Sequence, residues 1–223
     1  MKSMKYLKYF GIALFIIVLD QAVKMIVHNQ MDFGTPGQIK VFGEWFKLHY
    51  TTNPGMAFGM QIGTEYGKMI LTSFRLVAMF GIGYYLYHII KKKMHKGYIV
   101  CISMILGGAI GNLIDSIFYG VWLKNAPYNA ATPWFHGQVI DMFYIDIWEG
   151  YLPDWIPVWG GSYTALWPIF NIADAAIFVG VAIILIFQGR FFDEKMPEEK
   201  SEEIDEIQKQ LIEGEEKPSA GNL

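Results

Sequence analysis

Residues 170 to 185 read FNIADAAIFVGVAIIL, an apolar stretch that carries one carboxylate, Asp174, near its start. Two further apolar stretches hold Asp20, with Lys24 four residues on, and Asp115, with Asn112 three residues before it; a fourth holds Arg75. An ionisable side chain in lipid costs about 2.5–3.5 kcal/mol on insertion scales, so such residues turn toward a protein interior and mark functional sites. Two chemistries suit them. Carboxylates crowded in an apolar place share a proton and serve as acid and base, or a set of acids and bases passes protons or ions, as in a small coupled transporter. Each residue also has a structural reading. Asn171 and Asp174 have the spacing of an N-cap and a first-turn acid, and Asp20 with Lys24 forms an i,i+4 ion pair. Arg75 is either a counter-charge to one of the acids or a side chain that snorkels outward.

The elements that must position these residues are membrane helices. The 223 residues are 53% hydrophobic and 17% charged, with positive mean hydropathy, well away from a soluble domain. Four segments approach the roughly 20 residues that span hydrocarbon: about Leu7 to His28, Lys68 to Ile90, Tyr98 to Tyr119 and Trp167 to Phe187. The predicted fold is an all-α membrane protein, a bundle of four transmembrane helices with a small extracytoplasmic β-sheet and loop platform. The first segment has no small-residue cleavage site and carries Asp20 and Lys24, so it reads as a retained helix rather than a secretory signal. Counted from the outer helix ends, Asp174 lies about 10 Å below Trp167, Asp20 about 12 Å below His28 and Asp115 about 6 Å below Tyr119. Lys24, Arg75 and Asn112 fall in the same layer. Lys91, Lys92, Lys93 and Lys96 crowd one short loop, whereas the loops at 29–66 and 120–166 hold only Lys40, Lys47 and Lys124. The positive-inside rule then places both termini in the cytoplasm and the two long loops outside. Residues 1–190 form the membrane domain, and 191–223 an acidic cytoplasmic tail read as a solvated helix.

The outer loops add pieces. Ile39 to Tyr50 (IKVFGEWFKLHY) alternates apolar and polar residues around Gly43, as short strands do. Asn53-Pro54-Gly55 suits a type II turn that would aim the Asn53 amide and nearby N–H groups at one spot. VIDMF brings Asp141 to the membrane surface from the loop side. Loop tryptophans such as Trp45, Trp148 and Trp155 favour the interface. The single Cys101 cannot form an internal disulfide, and the five scattered histidines have no metal-ligand spacing.

Taken together, DQAVK (Asp20 to Lys24), TTNPGMAFG (Thr51 to Gly59), GGAIGNLID (Gly107 to Asp115) with VIDMF (Val139 to Phe143), and FNIADAAI (Phe170 to Ile177) resemble, in order, the motifs of the lipoprotein signal peptidases, or signal peptidase II. The resemblance covers the chain to about residue 190. It implies an aspartyl endopeptidase that removes the signal peptide from diacylglyceryl-modified prolipoproteins, on the N-terminal side of the lipidated cysteine. It implies a catalytic pair, Asp141 and Asp174, that activates water, with substrate-binding or supporting roles for Asn53, Gly55, Asn112, Asp115, Asn171, Asp20 and Lys24. No metal or organic cofactor is implied. The expected partners are the prolipoprotein and membrane lipids, not nucleic acid, and the enzyme is expected to be a monomer in the bacterial cytoplasmic membrane with its site toward the extracytoplasmic face.

The chain departs from the family pattern in three places. Ser116 stands where Arg is usual, Met56 and Gly59 where Ala and Ser are common, and the intervals Asp115–Asp141 and Asp141–Asn171 are unusually long. The longer loops make Asp146, in YIDIW, a competitor for the loop-borne acid; the flanking VI and MF favour Asp141.

Overall fold

A computed structural model describes residues 2–54, 66–157, 160–165 and 167–192. Gly55, Met56 and Gly59, and the acidic tail beyond Phe192, lie outside the described residues. The chain is mostly helical. Apolar runs free of proline form α1 (Lys2–Gln30), α2 (Gly67–Lys91) and α3 (Lys96–Ile114), the last opened by His95, whose Nδ1 accepts the Gly97 N–H at 3.1 Å. A π-helical turn, Asp115–Tyr119, and the short α4, Gly120–Trp122, prolong α3. Three helices, Tyr6–Gln30, Gly67–Lys91 and Lys96–Trp122, are long and apolar enough to cross a membrane.

The fourth expected crossing is shorter than the sequence predicts. Helix α5 runs only Ile172–Ile186, 15 residues or about 22 Å, and the brief α6, Gln188–Phe192, follows it. Pro168 disfavours helical backbone at Trp167, and Phe170 exchanges backbone hydrogen bonds with Phe143 at 2.8 and 3.1 Å. Asp174 therefore sits in the first turn of its helix, and a depth count along a helix from Trp167 does not apply.

Strands β1 (Ile39–Phe42), β2 (Phe46–Asn53) and β3 (Val139–Ile145) form an antiparallel sheet in that order. The β1–β2 turn is the one the alternation around Gly43 predicts, with Gly43 at φ +53°. A separate ribbon pairs β4 (Glu149–Tyr151) with β5 (Tyr163–Ala165), for which the sequence offers no clear period.

Helix α3 is the spine and packs against both α1 and α5. Its small residues permit that closeness, as in membrane helix pairs generally. A Cβ on Gly107 would stand 2.8 Å from the Ala13 carbonyl of α1; one on Gly108 would run into the Ala173 carbonyl of α5; one on Gly111 would stand 2.7 Å from Asp20 Oδ2. Tyr9, Ala13, Leu86, Ile89, Ile99 and Leu106 fill the core at the lysine-loop end. Val27, Tyr50, Tyr119, Ile140 and Met142 fill a second core where helices meet sheet. Large apolar side chains such as Leu14, Phe74, Val77 and Phe80 point outward, as lipid-facing residues do.

Gly108→Val should lower stability by about 1–3 kcal/mol through overpacking. Gly81→Ala, where an added Cβ meets nothing within 4 Å, should not lower it. Thermal unfolding of both variants in one detergent tests this; equal losses would mean that α3–α5 closeness is not what the glycines serve.

Candidate active site

Lys24 lies at the centre of a buried polar network. Its ammonium is 2.7 Å from Asp20 Oδ2 and 2.7 Å from Asp115 Oδ2, with all three side chains buried. It also donates to Asn112 Oδ1 at 3.0 Å, so its three N–H donors each have an acceptor. The i,i+4 pair expected on α1 is present, but it is half of a bridge between α1 and α3. Asp20 Oδ1 accepts the Ala173 N–H at 2.9 Å, one of the first-turn donors that a helix leaves unpaired. Asp20 thus ties α1 to α5, while Lys24 ties α1 to α3.

Asn112 carries the network toward Asp174, the acid on α5. Its oxygen is committed to Lys24, so its amide nitrogen must point the other way, and it donates to Asp174 Oδ1 at 2.7 Å. Asn171 caps α5: its Oδ1 accepts the Asp174 N–H at 2.9 Å, and Asp174 Oδ2 accepts the Asn171 N–H at 3.3 Å, a reciprocal capping box. The structural reading of this pair is correct. Its Nδ2, however, donates to Asp141 Oδ1 at 2.6 Å, with the Asn112 and Ile140 oxygens at 3.1 and 3.3 Å. The same cap therefore bridges the two aspartates.

Asp141 reaches this point by strand register. On β3 it pairs with Thr51 of β2, and Asn53, two residues along, pairs with Val139. Directly paired residues share a face, so Asn53 lies diagonally from Asp141 and hydrogen-bonds to it. The Phe143–Phe170 bridge clamps β3 to the residue that precedes Asn171. Asp141 is only 1% exposed, and burial first, then the nearby Asp174 charge, push its carboxyl up to about 7 against the pull of the Asn171 and Asn53 amides. That is the behaviour of a like-charged pair in which one member keeps a proton. The structure thus brings together Asp20, Lys24, Asn53, Asn112, Asp115, Asp141, Asn171 and Asp174, while Gly55 is outside the described residues.

Asp146 is held elsewhere. Its Oδ2 is 2.5 Å from Lys47 Nζ and its N–H donates to the Trp45 carbonyl at 2.8 Å. Ser116, in the place of the usual Arg, bonds the Asn112 carbonyl at 3.0 Å, and Asp115 takes its positive partner from Lys24 instead. Sequence reasoning assigned no role to Gln21 or Tyr119. Gln21 Nε2 donates to Asp115 Oδ1 at 2.8 Å, and its oxygen accepts the Tyr119 hydroxyl at 3.0 Å. A glutamine within an apolar segment, beside an aspartate, was the available signal. Among the described residues no group of three or more His, Cys, Asp or Glu side chains is placed to hold a metal.

Residues 12–190 match the family model described as signal peptidase (SPase) II. A lipoprotein signal peptidase of Amoebophilus asiaticus is 52% identical over 183 residues, covering 82% of this chain and 78% of the relative. One of Porphyromonas gingivalis is 39% identical over 186 residues, 78% of this chain and 80% of the relative. Two solved structures, each titled as a bacterial membrane enzyme, are similar in fold: one at TM-score 0.54 and 24% identity, covering 85% of this chain and 93% of that one, the other at 0.52 and 25%, covering 84% and 94%.

Lys24→Met should destabilise the protein by about 3–5 kcal/mol, because it strands buried carboxylates. Lys47→Met, at the more open pair, should cost far less. Unfolding in mixed micelles measures both, and a mild Lys24→Met would show that the network does not hold the helices together.

Proposed function

The chain belongs to the signal peptidase II family, aspartic peptidases that remove signal peptides from prolipoproteins, and on that premise we propose that Asp141 and Asp174 are its catalytic pair. The observation that supports this most is the Asn171 side chain, which donates to Asp141 at 2.6 Å while capping the helix turn that holds Asp174. Membership of the family displaces the transporter reading.

In the proposed reaction the pair carries one proton, on Asp141, whose buried carboxyl is pushed up to about 7. Ionised Asp174 takes a proton from water as the water oxygen attacks the carbonyl carbon; Asp141 gives its proton to the carbonyl oxygen. The diol collapses as Asp174 passes its proton to the leaving amine and Asp141 recovers one from a hydroxyl. The pair returns to its starting state, and no covalent enzyme intermediate forms. The Asn112 amide points at Asp174, so its part is to hold that carboxylate, and Asn53 supports Asp141. Asp20, Lys24 and Asp115 fix the helices on which these groups ride. Gly55, outside the described residues, is assigned a supporting role with Asn53.

The same proposal extends to the setting. Helices α1, α2 and α3 cross the cytoplasmic membrane of a bacterium, α5 with α6 makes the fourth crossing, and the lysine loop and both termini are cytoplasmic. Residues 1–190 are the peptidase domain and 191–223 a tail on the cytoplasmic side. The three-stranded sheet forms the outer platform, where exposed Phe42, Trp45 and Trp148 meet the lipid headgroups. A diacylglyceryl cysteine, anchored by about 0.8 kcal/mol per buried CH₂, brings its peptide bond to a site at this level. The enzyme acts on that prolipoprotein among membrane lipids, as a monomer, by cleavage N-terminal to the lipidated cysteine.

Asp141→Asn and Asp174→Asn should each reduce cleavage of a diacylated precursor by about three orders of magnitude or more, whereas Asp146→Asn stays within about threefold; the magnitudes follow from losing or keeping the acid and base. An active Asp141→Asn beside a dead Asp146→Asn would move the pair. Because Asp141 works protonated and its carboxyl titrates at about 7, kcat/KM should fall as pH rises through that region. A profile flat from pH 6 to 9 would remove the proton from Asp141.

A further inference from the structure

Helix α2 carries a polar stripe on a largely lipid-exposed surface. Lys68, Thr72 and Arg75 fall at i, i+4 and i+7 on one face. Two of them are pinned. Lys68 Nζ donates to the Pro54 carbonyl at 2.6 Å, next to Asn53. The buried Thr72 hydroxyl lies between the Lys68 and Phe135 carbonyls, 2.9 and 3.0 Å away. These contacts set the rotation of α2 about its axis, so that Arg75, about 10 Å further along than Lys68, turns to the same side. There it is half-buried and interacts electrostatically with Asp174.

The charges around Asp174 make this neighbour consequential. From α1 come Lys24 and Asp20; from α3, Asp115 and the neutral Asn112; from β3, Asp141; from its own helix, the neutral Asn171 cap. Lys24 is already shared between Asp20 and Asp115. Of the α2 cations, Lys68 is tied to the Pro54 carbonyl. Lys24 acts on both aspartates of the pair, whereas Arg75, from α2, interacts with Asp174.

We infer that Arg75 is a positioning residue for the reaction: its guanidinium keeps Asp174 the ionised member of the pair and leaves the shared proton on Asp141. A cation beside one of two like acids breaks their symmetry, since it favours the charged form of its neighbour. The burial difference acts in the same direction, because Asp141 is 1% exposed whereas Asp174 is half-buried. The inference rests on the aspartate pair proposed above.

The test is the pH dependence of kcat/KM for a diacylated precursor in one detergent, with wild type, Arg75→Gln, Arg75→Met and Arg75→Lys, and with Asp141→Asn and Asp174→Asn as references. Removing the cation should move the acid limb to higher pH by about one unit or more, roughly a tenfold loss on that limb and less at the plateau. Arg75→Lys should keep the limb near its wild-type position. Arg75→Met suits a lipid-exposed helix and answers the question if the glutamine variant does not insert. An equal loss at every pH in the neutral variants, or an Arg75→Lys limb as displaced as theirs, overturns the inference while dead aspartate variants leave the pair standing. An active Asp174→Asn overturns both.

Discussion

One ammonium group buried among carboxylates is the constraint from which the rest of this structure follows. An isolated charge in a bilayer is expensive, and removing either side of a buried pair costs more than the pair contributes. Lys24 meets that constraint only when α1 supplies Asp20, α3 supplies Asp115 and Asn112, and all three acceptors surround its three N–H groups. Asp20 in turn needs the Ala173 N–H, and so needs α5 to be in place. Partial assembly would leave charge exposed to lipid, so the network demands one arrangement of three helices. The glycines of α3 let the backbones come close enough to satisfy it.

The end proposed as reactive inherits its order from this centre. Lys24 decides which way the Asn112 amide faces, Asn112 then donates to Asp174, and the Asn171 cap reaches across to Asp141. Each amide is oriented because its oxygen accepts from an N–H, that of Lys24 for Asn112 and that of Asp174 for Asn171, so both side chains are set before a substrate arrives. The two acids differ in what carries them. Asp174 rides on a capped helix, whereas Asp141 rides on a strand clamped by the Phe143–Phe170 bridge.

Much of this was legible in the sequence because intramembrane charge is rare and helical spacing is strict. The Asp20–Lys24 pair, the Asn171–Asp174 cap and the strand turn at Gly43 follow from local rules and are present. The late start of α5 was not legible from hydropathy, since Trp167 to Phe170 is as apolar as the helix it precedes; the long-range pairing with Phe143 decides its conformation. Gln21 was missed for a related reason. A polar amide that satisfies Asp115 and Tyr119 on the π-helical turn of the neighbouring helix gives no periodic signal of its own. Asp141 against Asp146 could be weighed only by flanking motif, because the choice depends on the register of β3 against β2 and on Lys47, which takes Asp146.

The π-helical turn at Asp115–Tyr119 bears on how the chain carries the long segment that separates it from β3. Such a turn releases main-chain oxygens from the regular ladder, and two of them, on Ser116 and Ile117, receive the N–H groups of Gly137 and Phe135. Just beyond, Asn125 and Gln138 close the intervening segment with reciprocal bonds of 2.9 and 3.0 Å. The excursion between them leaves and rejoins the body at a fixed doorway built mainly from backbone. Lengthening a loop whose ends are already tied costs little entropy, so evolution is free to embroider the segment in between while the strand that follows re-enters in the same register.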